Sequence, residues 1–144
     1  MRIKDLGWGD ISPKSDATAN PAANTDPASV TVTKRTLLTG LFFTHVSDGN
    51  GANRYPYLTV WTDGTNVTHY FFATTPQTAN LTQNWSFVPG TGQGGVIGDN
   101  LAASVGFGLP VEIPVGGKFQ IRILNKQATD DTSLLRYAFK EWPL

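Results

Sequence analysis

Apolar and polar residues alternate along much of the chain from residue 29 onwards, and this pattern predicts β-strands. In residues 118–123 every second residue is large and apolar, which is typical of a strand with one buried and one wetted face. Residues 133–142 repeat the alternation, and residues 29–33 show a short version of it. Residues 36–46 are apolar on both faces, as expected for a strand that is covered on both sides.

The strongest turn signal lies between residues 57–62 and 67–73, two runs rich in β-branched and aromatic residues. Asp63-Gly64-Thr65-Asn66 joins them, and Gly64 can take a positive φ without a Cβ clash. Two strands joined in this way pair antiparallel, but a single hairpin is only marginally stable in water. The remaining strands are therefore expected to stack against this hairpin.

In total the pattern predicts seven or eight strands, and residues 101–109 stay open between a strand and a short helical turn at residues 101–104. At 144 residues the chain has the length of one domain and can bury a single core. The predicted fold class is therefore all-β, a single antiparallel two-sheet sandwich. A jelly roll is the most economical arrangement of so many strands.

Residues 1–28 differ from the rest of the chain and are predicted to form an extended N-terminal arm, whereas residues 29–144 form the β-sandwich domain. From residue 15 to residue 28 no apolar residue is larger than alanine, and two prolines interrupt any helix. Such an arm becomes ordered only when it is held down. We expect it to dock on a neighbouring subunit, and the alternative is that it lies along its own domain. The candidate interface residues are its large apolar side chains: Ile3, Leu6, Trp8 and Ile11.

The charge of the chain is low and balanced, with eleven acidic and eleven basic residues and a charged fraction of 15%. No net field draws such a chain to nucleic acid or to a membrane surface, so neither is expected as a partner. Low charge suits surfaces that meet other protein subunits. The N-terminus lacks the apolar segment of a secretory signal, and no apolar run approaches the roughly 20 residues needed to cross a bilayer.

Candidate catalytic chemistry is sparse. The spacing Gly90-x-Gly92-x-x-Gly95 matches a dinucleotide-binding motif, but no helix is predicted after it. The only two glutamates, Glu112 and Glu141, have no spacing that brings them together. The sequence therefore predicts no enzyme, no catalytic residues and no cofactor.

Metal sites are predicted to be absent as well. With no cysteine, a metal would require both histidines, and His45 and His69 lie on separate predicted strands. A calcium ion in an acidic loop is the alternative that stays open, with candidate ligands in the turns: Asp48, Asp99, Asp130 and Asp131. The competing interpretation is that these aspartates cap backbone groups.

The aromatic residues Tyr55, Trp61 and Trp85 are the candidate partner-facing side chains. Exposed aromatics on a β-sandwich can stack on sugar rings, so a carbohydrate-binding module is one alternative function. The other interpretation places the same side chains in the core or in a subunit interface.

The chain resembles the small β-sandwich structural proteins of tailed bacteriophages in three features. These are the sequence LPVEIPVGGKFQIRI at residues 109–123, the cysteine-free sandwich and the Pro/Ala/Asn-rich arm. These include capsid decoration (cement) proteins and head or tail accessory proteins. The resemblance implies a homo-oligomer, with a trimer favoured, whose arm clamps onto the major capsid protein or another virion protein. It also implies a virion location after assembly in the host cytoplasm, and a phage tail or head–tail accessory protein as an alternative.

Overall fold

The computed structural model describes residues 12–90, 93–95, 101–108 and 110–142, and within these ranges the secondary structure is β throughout, without a helix. The described strands are β1 (Ser12–Ala17), β2 (Val30–Thr31), β3 (Thr36–Val46), β4 (Tyr55–Trp61), β5 (His69–Phe72), β6 (Thr82–Val88), β7 (Gln93–Gly95), β8 (Leu101–Gly106), β9 (Val111–Ile113), β10 (Lys118–Leu124), β11 (Asp131–Thr132) and β12 (Arg136–Glu141).

The strands form two sheets. The larger, eight-stranded sheet has the order β1-β12-β3-β6-β8-β7, with β9 and β11 also paired to β3, and the smaller sheet has the order β2-β10-β4-β5. Four antiparallel pairs are nested along the chain: β4 with β5, β3 with β6, β2 with β10, and β1 with β12. Folding these nested pairs over one another gives a jelly roll. The predicted all-β sandwich is therefore confirmed.

The larger sheet departs from a purely antiparallel arrangement at one place, because β6 and β8 pair in parallel. The connection between β6 and β10 carries three additional strands, β7, β8 and β9, which widen the larger sheet beyond the four strands of the nested pairs. A second irregularity is a register shift between Ala138 and Phe139 of β12, opposite Gly40 of β3.

The hydrophobic core lies between the two sheets. Side chains at alternate positions of β10 and β4 point into it, as the sequence pattern predicts. The ring of Phe119 on the smaller sheet meets Tyr137 on the larger sheet edge-on, with 5.1 Å between centroids. The largest apolar side chains that are almost fully buried are Trp85, Phe87, Phe119, Leu38, Leu41, Leu58, Ile113, Ile121 and Leu135.

The predicted hairpin exists, but its loop is longer than four residues, since β4 ends at Trp61 and β5 begins at His69. Gly64 has φ +76°, as expected for a glycine at the turn. Asp63 Oδ1 accepts hydrogen bonds from the backbone N–H groups of Thr65 and Asn66 at 2.8 and 2.7 Å. These local bonds stabilise the turn, and the backbone N–H of Thr68 then donates to the carbonyl of Val60 at 2.8 Å, just before β5 begins.

The region predicted as an arm divides into two parts. Ser12–Ala17 form β1, which pairs along its whole length with β12 of the same chain, so the sandwich begins before residue 29. Further along, Lys126 Nζ contacts Asp26 at 2.8 Å and Gln120 Nε2 donates to the carbonyl of Pro27 at 2.9 Å. The alternative in which the segment lies along its own domain therefore holds for residues 12–28. Residues 1–11, with the candidate anchors Ile3, Leu6, Trp8 and Ile11, lie outside the described residues.

Candidate interaction surface

The outer face of the smaller sheet carries a cluster of aromatic side chains, which we call the aromatic face (Tyr55, Tyr57, Trp61, Tyr70 and Phe72). These residues lie on β4 and β5, and strand alternation directs their side chains to the same side of the sheet, away from the core. The rings of Tyr57 and Phe72 stack across the two strands, with 4.5 Å between centroids and an interplanar angle of 15°. The ring of Tyr70 lies 6.3 Å from that of Tyr57 and 6.1 Å from that of Phe72.

The aromatic face is open to solvent in spite of its apolar character. Tyr70 is 56% exposed and Phe72 is 44% exposed, and the neighbouring Leu124 on β10 is 46% exposed. Beneath the rings, Thr59 is completely buried although it also points outward. Large apolar side chains clustered at such exposure mark a surface that meets a partner.

The charged residues on the same side of the smaller sheet are cationic. Lys118 Nζ lies 5.0 Å from the ring centroid of Trp61, a cation–π contact. Arg122 lies opposite Tyr57 in the register of β10 and β4 and is exposed. Among the described outward positions of β4, β5 and β10 there is no carboxylate. The surface is therefore aromatic and weakly positive.

Among the described residues, one edge of this surface has no strand paired to it. β5 is the last strand of the smaller sheet, and no described strand pairs with its outer edge. Its sequence, His69-Tyr70-Phe71-Phe72, has neither proline nor a charged residue. The edge strand β1 of the larger sheet, in contrast, contains Pro13, Lys14 and Asp16, residue types that discourage pairing with another chain.

The predicted partner-facing aromatics separate into two groups. Tyr55 and Trp61 are half-buried and belong to the aromatic face. Trp85 is only 2% exposed, and its indole N–H donates to Gln77 Oε1 at 3.0 Å in the interior. The prediction was therefore wrong for Trp85, because alternation along β6 puts it on the same side as the buried Phe87. Tyr70 and Phe72 are separated by one residue, and this spacing was the sequence signal that could have placed both on the exposed side of β5.

A buried polar cluster ties together the loops at one end of the sandwich. The guanidinium group of Arg54 is fully buried and contacts both carboxylate oxygens of Asp130 at 2.9 Å. It also binds the carboxylate of Asp48 and donates to the carbonyl oxygens of Asn50 and Ala52 at 2.6 Å. The loop between β3 and β4 and the loop between β10 and β11 are therefore held together by a single side chain.

The carboxylate of Asp130 is stabilised in its charged form. Burial alone would raise the pKa of Asp130, but hydrogen bonds from Arg54 and from the backbone N–H groups of Asp48 and Gln127 lower the pKa below its ordinary value. The pKa of Asp48 is also lowered, first by the backbone N–H of Asn50.

This cluster occupies the place considered for calcium. Asp48 and Asp130 do come together, but the cation between them is the Arg54 guanidinium. Within the described ranges no group of three or more acidic or histidine side chains has metal-binding geometry. Asp131 lies at an exposed strand start, and Asp99 lies outside the described residues.

The remaining titratable candidates are well separated. His45 is buried, with Nδ1 3.0 Å from Thr132 Oγ1, whereas His69 is exposed on β5. Glu112 and Glu141 take part in separate ion pairs, with Arg35 and Lys14 respectively, each at 2.6 Å.

Two glycines of the Gly90-x-Gly92-x-x-Gly95 motif lie among the described residues. Gly90 forms an isolated β-bridge with Gly108, and Gly95 ends β7. Gly92 lies outside the described residues.

Comparisons with known proteins give structural similarities only. No protein-family model matches the sequence, and no curated protein matches it. A chain in the structure of infectious bursal disease virus, Gt strain, superposes over 92% of this chain with a TM-score of 0.35 and 13% sequence identity. A chain from the Gx strain of the same virus superposes over 91%, with a TM-score of 0.33 and 13% identity. This chain spans 31% and 29% of those two chains.

Because both TM-scores and identities are low, the fold assignment depends on the nested strand pairs of the chain itself. No helix in the described part of the chain has the length and apolar character needed to cross a membrane.

Proposed function

We propose that this chain is a non-enzymatic structural protein of a virion, of the capsid decoration (cement) type found in tailed bacteriophages, that assembles through its aromatic face. The observation that carries the proposal is the exposure of Tyr70 and Phe72 on a stacked aromatic cluster. A solvent-exposed apolar cluster of this kind favours association, since burying each exposed ring removes apolar area from water at about 25 cal/mol per Å².

We commit to a second copy of the same chain as the first occupant of this surface. The aromatic face adjoins the edge of β5 that no described strand covers. The backbone groups of this edge can pair with a strand of a neighbouring copy. Main-chain pairing at this edge would bring Tyr70 and Phe72 of one copy against the neighbour. The resemblance to decoration proteins implies a trimer.

The N-terminal residues are proposed to extend the assembly. β1 begins at Ser12, which lies opposite Glu141 at the edge of the larger sheet. Residues 1–11 span at most roughly 35–40 Å when fully extended. We propose that the arm uses this length to contact a neighbouring subunit or the major capsid protein. Ile3, Leu6, Trp8 and Ile11 would supply the apolar contacts, while the sandwich fixes the position of the arm.

The arm is tested by the solution mass of two chains measured by light scattering, the full chain and a chain that lacks residues 1–11. The cut must fall before Ser12, because removal of β1 would expose the edge of β12 and disrupt the sandwich itself. We expect an oligomer that dissociates at higher concentration when the arm is missing. Equal masses at all concentrations would contradict a role for the arm in self-association.

A matched pair of substitutions separates apolar docking from general charge effects. Trp8→Ala removes the largest apolar side chain of the arm, and Lys4→Ala removes a nearby charge. We expect Trp8→Ala to weaken assembly much more than Lys4→Ala, because apolar burial supplies the docking energy. Equal effects of the two substitutions would show that the assigned interface residues are wrong.

The aromatic face also favours one alternative from another functional class, a carbohydrate-binding module. Tyr55 and Trp61 would be the sugar-contacting residues, without Trp85. This alternative predicts that glycans change the fluorescence of Trp61 and that the arm is dispensable. A phage tail or head–tail accessory protein remains the alternative within the structural class, and it shares the location in a virion assembled in the host cytoplasm.

A further inference from the structure

A groove lies on the outer face of the larger sheet, on the opposite side of the sandwich from the aromatic face. Its volume is about 520 Å³, within the range of roughly 300–1,000 Å³ that is typical of small-molecule sites. The floor is formed by neighbouring residues of β3 and β6, and Asn20 and the segment around Ser133 form a wall.

Phe42 gives the groove an aromatic platform. The ring covers Gly40, where a Cβ would lie only 2.9 Å from Phe42 Cζ, so glycine is required for the ring to lie over the strand. Phe42 nevertheless remains 42% exposed. It therefore offers apolar ring surface to a ligand, while one edge of the ring lies against Gly40.

Arg136 and Asn84 offer hydrogen-bond donors to the groove, whereas the hydroxyl groups of Thr44, Ser86 and Ser133 already donate within the protein. Arg136 lies opposite Phe42 in the register of β12 and β3, and no carboxylate of the described residues pairs with it. Asn84 Oδ1 accepts a hydrogen bond from Thr44 Oγ1 at 2.7 Å, which orients the amide and leaves its two N–H donors available. Arg136 is the only charged residue that lines the described groove.

We propose that this groove binds a carboxylated sugar. The guanidinium of Arg136 pairs with the carboxylate, the ring of Phe42 stacks on the apolar face of the pyranose, and the Asn84 amide donates to a ring substituent. The planar fork of arginine matches a carboxylate with two parallel hydrogen bonds. A phosphate group carries nearly two charges at neutral pH, more than one guanidinium neutralises, so a carboxylate is the better match. This binding site is independent of the proposed assembly through the aromatic face.

The first experiment titrates ¹⁵N-labelled full-length protein with a matched pair of sugars, methyl glucuronide and methyl glucoside, which differ in the carboxylate. The methyl glycoside of N-acetylneuraminic acid is the second acidic probe. We expect saturable shifts of the Phe42, Asn84 and Arg136 amides with at least one acidic sugar, and weaker shifts with the neutral sugar. Absence of saturable shifts at these residues with both acidic sugars would overturn the proposal.

Substitutions then locate the site. Arg136→Gln should weaken binding of the acidic sugar by about tenfold or more, because it removes a charge-assisted bidentate contact. Phe42→Leu keeps an apolar cover over Gly40 but removes the aromatic ring, and it should also weaken binding. The control is Arg122→Gln, which removes an exposed arginine from the other sheet and should leave binding unchanged.

The same titration, carried out with a short aspartate-containing peptide, tests whether the groove binds an acidic protein segment instead of a sugar. If this peptide shifts the groove residues and both acidic sugars do not, the groove is a peptide site and the sugar proposal is wrong. Equal weakening of sugar binding by Arg136→Gln and Arg122→Gln would likewise contradict it, since that result indicates general electrostatic attraction.

Discussion

Arg54 and Asp130 form a bidentate ion pair in which both side chains are fully buried, with Nε 2.9 Å from Oδ2 and Nη2 2.9 Å from Oδ1. They are separated by 76 residues in the sequence. The backbone N–H groups of Asp48 and Gln127 support the pair, because they also donate to the Asp130 carboxylate. The loop between β3 and β4 and the loop between β10 and β11 therefore depend on one cation.

The first prediction concerns this ion pair. Arg54→Met should destabilise the fold by about 3–5 kcal/mol, because it leaves Asp130 buried without a counter-ion. Arg54→Lys should restore little of the loss, since one ammonium group cannot reproduce the planar contacts to two carboxylates and two carbonyls. The free energy of unfolding in urea measures both effects.

The matched control is Arg35→Gln. Arg35 also forms an ion pair, with Glu112 at 2.6 Å, but both side chains are largely exposed. Screening by water makes such pairs weak. Arg35→Gln also removes a cation–π contact, since Arg35 Cζ lies 4.2 Å from the ring centroid of Trp142, so we expect a loss of stability that is small beside that of Arg54→Met. If Arg35→Gln destabilised the protein as much as Arg54→Met, burial of the Arg54 cluster would not be the cause of its contribution.

The second prediction concerns pH. Burial lowers the pKa of His45 to about 4, against the opposing attraction of Asp130, whose Oδ2 lies 3.6 Å from Nε2. Between about pH 4 and the ordinary value of 6.5, the unfolded chain therefore binds a proton that the folded chain does not. Stability should fall as the pH decreases through this window, by up to about 3 kcal/mol from His45 alone.

His45→Asn tests the assignment, because asparagine can bond to Thr132 but does not titrate. The measured quantity is the slope of the unfolding free energy between about pH 4 and 6.5, which does not depend on any stability change that the substitution causes at neutral pH. This slope reports the number of protons that the chain takes up on unfolding, and that number should fall by up to one in the variant. An unchanged slope would show that another group causes the pH dependence in this window.

The third prediction concerns the loop between β4 and β5. A Cβ at Gly64 would lie 2.5 Å from the carbonyl oxygen of Gly116, and φ there is +76°. Gly64→Ala should therefore cost about 1–2 kcal/mol or more, from both the left-handed conformation and the clash. Gly51→Ala is the control, because nothing lies within 4 Å of a Cβ at that position. Thermal unfolding of the two variants should separate them clearly, and equal melting temperatures would contradict the prediction.

The fourth prediction distinguishes the two tryptophans that the sequence treats alike. Trp85→Phe removes the indole donor to Gln77 Oε1 and leaves that buried oxygen unpaired, at a cost of about 1–3 kcal/mol. Trp61→Phe changes a half-buried residue of the aromatic face and should affect stability much less. Urea unfolding measures the difference, and a larger loss for Trp61→Phe would contradict the placement of Trp85 in the core.

The parts of the fold that the sequence predicted are those with a periodic signal. Alternation in residues 118–123 marks β10, and the glycine turn at Gly64 marks the hairpin of β4 and β5. Strand β1 has no such signal because its described side chains are exposed and it is held by backbone pairing with β12. The sequence of such an edge strand is polar and contains proline, so it cannot be distinguished from the sequence of a linker.

The candidate surfaces were predictable to different degrees. The alternation along β4 correctly predicts that the side chains of Tyr55 and Trp61 point outward. The alternation around Trp85 is too weak to predict that its side chain points into the core. Arg54 lies in a polar loop sequence that resembles any solvent-exposed turn. Its burial follows from contacts to distant residues, which local patterns do not encode.

The central claim is that the aromatic face joins copies of this chain, and light scattering of a double variant tests it most directly. Tyr70→Ser with Phe72→Ser removes the two exposed rings, and Val46→Ser, an exposed apolar residue on the larger sheet, is the control. We predict an oligomer for the unmodified chain and the control, and a shift to monomers for the double variant. A monomeric unmodified chain, or a double variant with the mass of the control, would contradict the claim.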